Sequence, residues 1–167
     1  MLSSRQHRIN NKPTRNDIFY TPLALAKTAI DMVGDKYKDK RWLDPCKGKG
    51  AFYDQFPIAC TKQYCEITDG KDFFEHNDTA DVIISNPPYS LIDKWLEHTI
   101  QLKPTVVSYL IGINNLTARR LEMMETAGYT LTKLHICKVR QWFGMSVIVQ
   151  WERGGTACVT YDRVVWG

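Results

Sequence analysis

The chain has 167 residues, 44% of them hydrophobic, with 22 basic against 18 acidic side chains and a net charge of +4. That length supports one domain with a sizeable core and not two. No apolar run reaches the roughly 20 residues of a membrane span, the N-terminus lacks a leader-like apolar region, and the five cysteines are scattered without a C-x-x-C pair. The expectation is a cytoplasmic protein (host cytoplasm if phage-encoded) with reduced thiols, neither a membrane protein nor a disulfide scaffold. A zinc site from Cys60, Cys65 and His76 is conceivable, but no metal is expected.

Residues 1–16 carry Arg5, Arg8, Lys12 and Arg15 and no acid, so they read as a flexible basic arm ahead of one domain spanning 17–167. Such an arm either contacts a polyanion or is a solvated tail. Thr21 suits an N-cap and Pro22 a first helical residue. The helix they open has the apolar stripe Leu25, Ala26, Ala29, Ile30 and Val33, and Gly34 suits its stop. A short strand follows at Arg41–Asp44, then a turn through Pro45, Gly48 and Gly50, then an expected helix through Ala51, Phe52 and Phe56. The turn's spacing fits neither a dinucleotide fingerprint nor a P-loop. A second strand is expected over Gln63–Ile67.

Asp81 to Ser90 organises the rest. Val82, Ile83 and Ile84 are consecutive β-branched residues, as in a strand buried on both faces. Asn86 follows at its carboxyl end, and Pro87 and Pro88 stop the ladder for want of an N–H. Tyr89 comes next, and Ser90 with Asp93 has the spacing of a capping box. Ligands of open α/β sheets bind at such strand ends. An amino group conjugated to a ring or carbonyl is a poor nucleophile because its lone pair is delocalised. The Asn86 side-chain oxygen and the Pro87 carbonyl can each accept one of its N–H bonds and release that lone pair, an effect of electrostatic preorganisation and positioning.

Asn-Pro-Pro-Tyr is the motif of amino methyltransferases, and the chain resembles the S-adenosylmethionine-dependent adenine-N6 family over about residues 17 to 153. The resemblance implies a doubly wound, Rossmann-like α/β fold, mostly parallel, with a C-terminal antiparallel hairpin. It implies Asn86, Pro87, Pro88 and Tyr89 as the catalytic turn, with Tyr89 also stacking on an extruded base. Phe19, Tyr20, Thr21 and Pro22 resemble the upstream element that walls the cofactor pocket. Asp44, Pro45, Gly48 and Gly50 resemble the cofactor motif, the glycines leaving room for the methionine part and Asp44 orienting its amino group directly or through water. Glu66 is expected on the ribose hydroxyls; Asp72 is expected on the adenine amino group, with Phe73 on the ring face. Too few residues separate Glu66 from Asp72 for the usual helix, so a third strand must be vestigial and the jobs of Glu66, Asp69 and Asp72 stay open.

Downstream, Ile92, Trp95, Leu96, Thr99 and Ile100 form a core stripe, and Thr105–Ile111 is a further strand. Asn114 or Asn115 caps a helix to Ala127, where Arg119 and Arg120 read as an exposed face in preference to a phosphate contact. Thr130–Cys137 and Met145–Trp151 form a hairpin, and Ala157–Val165 a last edge strand. By resemblance, Phe143, with Trp142 as its rival, stacks on the target base. Lys138 and Arg140 join Arg5, Arg8, Lys12 and Arg15 on the nucleic-acid backbone. No separate target-recognition domain is expected, so short loops, the arm or a protein partner would read the target. The reaction implied is N6-adenine methylation of DNA. The alternatives are the same reaction on RNA, glutamine-amide methylation of a protein, or a non-catalytic binding subunit.

Overall fold

Six strands form one sheet in the order β2-β1-β3-β4-β6-β5. They are β1 (Arg41–Asp44), β2 (Thr61–Tyr64), β3 (Val82–Ser85), β4 (Val106–Gly112), β5 (Tyr129–Cys137) and β6 (Ser146–Arg153). The first four run parallel, and β6 enters antiparallel between β4 and β5. The coordinates are a computed structural model and describe residues 20–140 and 142–157. The arm with Arg5, Arg8, Lys12 and Arg15, Phe19, and all but the start of the expected last strand lie outside them.

Alternation along the central strands builds two cores. Trp42, Val82, Ile84, Val106, Leu110 and Ile148 face helix α1 (Leu23–Val33), which contributes Ala26, Ala29, Ile30 and Val33. Leu43, Ile83, Val107, Val147 and Val149 face the other way, against Trp95 and Leu96 of α2 (Ile92–Leu102) and Leu121 and Met124 of α3 (Ala118–Thr126). Because both faces are covered, β3 is buried at every residue. That is why the sequence there is a continuous apolar run.

Several local expectations are corrected. The cap of α1 is Pro22, with no side-chain cap bond, because the Thr21 hydroxyl is turned to Asn86. The helix after the glycine turn is reduced to one 3₁₀ turn, Tyr53–Gln55. Gly50 is left-handed, and Pro57 forces Phe56 into an extended conformation, leaving too few residues for an α-helix. Strand β2 begins two residues and ends three residues earlier than expected, at Thr61–Tyr64. Helix α2 starts beyond Leu91 without a side-chain cap; the expected partner Asp93 instead binds Arg120 Nε at 2.7 Å and Arg119. Those two arginines are therefore ion-paired. Thr117, not an asparagine, caps α3. The vestigial third strand is as expected: between Glu66 and Asp72 there is one antiparallel bridge, Glu66 to Lys71, and β2 is the sheet edge among the described residues.

Candidate active site

The carboxyl ends of β1, β2 and β3 open onto a cavity of about 310 Å³. Its walls come from five places in the chain: Tyr20 and Thr21 ahead of α1, the turn from Pro45 to Phe52, the segment from Glu66 to Phe73, Asn86 with Pro88, and Trp95 of α2. Strand ends are brought together here because a parallel sheet places every β-to-helix crossing on the same side.

The glycines of the turn act differently. Gly48 lines the cavity at φ +52°, and a Cβ there would meet nothing within 4 Å. Gly50 sits at φ +84° away from the cavity lining, and a Cβ there would fall 2.4 Å from the Asp54 carboxylate. So Gly48 leaves room for a ligand and Gly50 leaves room for Asp54. Glu66 spans the turn: one carboxylate oxygen accepts from Gly48 N at 2.8 Å, the other from Thr68 N and its hydroxyl. A carboxylate offers about four lone-pair sites, so these bonds leave capacity for a hydroxyl donor.

Asp72 accepts from Phe74 N at 2.9 Å through one oxygen, while the other is buried without a partner. Asp72 as a residue lines the cavity, and a carboxylate with one unpartnered oxygen has the acceptor chemistry an amino donor needs. Phe73 lies beside it, packed on Trp95 with ring centroids 4.6 Å apart.

Asp44 is corrected from the expected ligand role. It is fully buried and does not line the cavity. One of its oxygens accepts from the Ser85 hydroxyl at 2.7 Å and from Cys46 N at 3.2 Å. Burial pushes its carboxyl up to about 7 despite those bonds. Burial likewise pushes the Cys46 thiol, at the cavity wall, up to about 12, so it is protonated and unreactive.

Asn86 lines the cavity, and its Nδ2 donates to Thr21 Oγ1 at 3.3 Å. Pro87 is buried outside the lining, and Pro88 forms part of the wall. Tyr89 also stands outside the lining; its half-buried ring packs beside Gly112 on the larger core. Pro22 is spent on starting α1. Phe143 is fully exposed, whereas Trp142 packs against the core and is set apart from its rival. Lys138 donates to the carbonyls of Trp142, at 2.9 Å, and Gly144, so its charge braces its own loop. Arg140 is exposed.

The sequence reading missed Lys47, Lys49, Lys71 and Trp95 as wall residues. Position relative to Gly48 and Asp72 was the available signal for the lysines, while Trp95 was absorbed into a core stripe. Among the described residues, no group of three His, Cys, Asp or Glu side chains could hold a metal, and no helix is long and apolar enough to cross a membrane.

No family model and no curated protein matches the chain. Solved structures do. The RNA-methyltransferase-like protein PH1948 from Pyrococcus horikoshii matches over 85% of this chain and 90% of its own, with TM-score 0.68 and 17% identity. The E. cuniculi Mtq2–Trm112 complex, responsible for methylating the eRF1 translation termination factor, gives 81%, 98%, 0.60 and 19% on the same measures. Magnesium protoporphyrin IX methyltransferase (ChlM) from Synechocystis PCC 6803, solved with bound SAH, gives 90%, 94%, 0.63 and 11%. The fold is that of a Rossmann-like methyltransferase. Identities this low describe a shared fold, and the three proteins differ in what they are named for, so the methyltransferase fold here leaves the substrate to the site's own chemistry.

Proposed function

We propose that this chain transfers a methyl group from S-adenosylmethionine to the N6 amino group of adenine in DNA. The observation that carries the reading is the Asn86 amide at the cavity wall, at the carboxyl end of β3, with its Nδ2 donating to Thr21 Oγ1. The reading assigns the carbonyl end of that amide to a substrate amine.

The cavity fits the cofactor. The unpartnered Asp72 oxygen suits an adenine amino group, Phe73 supplies an apolar wall, and Gly48 leaves backbone room for the methionine end. When bound, S-adenosylmethionine supplies an already activated methyl group. Asn86 and the Pro87 carbonyl hold the substrate amine and draw its lone pair toward a tetrahedral form. The stiff double-proline turn keeps those acceptors aimed, and the amine loses a proton after attack. Phe143, exposed on the hairpin loop, stacks on nucleic acid outside the cavity.

A second reading has support. The same acceptor pair serves RNA adenine or a protein glutamine amide, and matched structures include an RNA-methyltransferase-like protein and the complex that methylates eRF1. The Trm112 in that complex also makes a protein partner for target recognition a natural arrangement.

The test offers labelled S-adenosylmethionine with duplex DNA, single-stranded DNA, structured RNA and protein extract, with Asn86→Ala alongside. N6-methyladenine in DNA, reduced about 10²–10³-fold in the variant, is expected. Label in RNA or protein moves the assignment to that class, and full turnover by Asn86→Ala overturns the role of Asn86.

A further inference from the structure

The backbone ladder between β1 and β3 ends at the pairs Trp42–Val82 and Leu43–Ile83. Beyond it the strands diverge into the cofactor turn on one side and the catalytic turn on the other. A side-chain bond takes over at that point: Ser85 Oγ donates to Asp44 Oδ1 at 2.7 Å, with both residues fully buried. The same Asp44 oxygen accepts from Cys46 N at 3.2 Å, in the turn that lines the cavity. The Asp44 carbonyl accepts from Cys65 N at 2.9 Å, one residue before Glu66. Asp44 thus ties together three stretches of cavity wall while touching no part of the cavity itself. Ser85 is the residue directly before Asn86.

We infer that Asp44 and Ser85 are positioning residues that couple the cofactor turn to the orientation of Asn86, so that ligand seated at the turn tightens the amine acceptor. The inference deepens the function proposed above and rests on its placing of the cofactor against Gly48. The alternative is a bond that merely closes the end of a sheet. Two features argue for coupling. The bond is fully buried, away from competing water. It also joins the two turns beyond the last pairing of β1 with β3 among the described residues. The groups facing Asp44 are the Glu66 carboxylate, the thiols of Cys46 and Cys65 and the Tyr109 phenol.

The test needs no turnover. The side-chain amide of Asn86 is followed by ¹⁵N NMR, its signal identified by its loss in Asn86→Ala, while S-adenosylhomocysteine is titrated and its binding measured by calorimetry. Wild type is expected to bind and to shift and sharpen the Asn86 amide signal. Ser85→Ala, which removes only a hydroxyl, is expected to bind but lose the response; Ser85→Thr restores it. Asp44→Asn keeps an acceptor oxygen for Ser85 and is expected to keep the response. A response retained in Ser85→Ala, or absent from wild type with ligand bound, overturns the coupling. Failure of wild type to bind the ligand overturns both this inference and the proposed cofactor.

Discussion

Thr21 Oγ1 lies 3.3 Å from Asn86 Nδ2, a contact between residues 65 apart in sequence. It engages the amino end of the Asn86 amide. Thr21→Val removes the acceptor that holds Nδ2 while keeping shape. The expected result is a fall in methyl-transfer kcat of about 5- to 10-fold, the equivalent of one ordinary hydrogen bond of about 1 kcal/mol. Thr21→Ser is expected to stay near wild type. A Thr21→Val enzyme with unchanged kcat would remove Thr21 from the catalytic arrangement.

Asp44 makes stability depend on pH with an unusual sign. Its folded value lies near 7, raised first by burial, above the ordinary carboxylate range. A raised folded value means the native state holds a proton that the unfolded chain has already released. The contribution is therefore full below about pH 4 and is lost as pH rises toward 7, at up to about 1.4 kcal/mol per pH unit. Urea unfolding at pH 5 and pH 8 is expected to show a smaller difference in Asp44→Asn than in wild type. Equal differences would show that Asp44 does not titrate in this window.

The two turn glycines are expected to fail in different assays. Gly50→Ala brings a Cβ against the Asp54 carboxylate at a left-handed φ, and should lower stability by about 1–3 kcal/mol in chemical unfolding. Gly48→Ala meets no steric neighbour and carries only the backbone strain of its left-handed φ, so the effect that sets it apart falls on cofactor affinity through the cavity wall. The assignment fails if Gly48→Ala binds S-adenosylhomocysteine like wild type.

Phe143 and Trp142 are adjacent and opposite. Phe143→Ala should leave the thermal midpoint unchanged, because the ring is fully exposed, and weaken single-stranded nucleic-acid binding by about 1–3 kcal/mol. Trp142→Ala should lower the midpoint, because that ring packs on the α1-side core. Reversed outcomes would exchange their roles.

The layout was legible where a residue pattern has one physical meaning. Val82-Ile83-Ile84 followed by two prolines admits little but a doubly covered strand that stops, and β3 is as expected. The hairpin likewise follows from two apolar runs around Gly144. Side-chain caps were the weak point, because a cap competes with distant partners that local sequence does not show. Asp93 went to Arg119 and Arg120, and Thr21 went to Asn86. The same holds for Asp44: an acid after a strand looks like a ligand residue, and only the position of Ser85, 41 residues away, shows that the carboxylate faces inward. Gly50 similarly looked like a ligand-binding glycine until Asp54 was placed against it.

Strand β6 has a consequence for biosynthesis. It is the last strand in the chain among the described residues, yet it lies inside the sheet, pairing with β4 along all seven of that strand's residues from Val106 to Gly112. Until it emerges from the ribosome, one edge of the buried, mostly apolar β4 has no neighbour. A nascent or prematurely ended chain lacking Ser146–Arg153 would therefore carry an unpaired hydrophobic edge able to recruit other chains. The cavity at Asn86 is thus assembled on a sheet whose interior is closed by the β5–β6 hairpin.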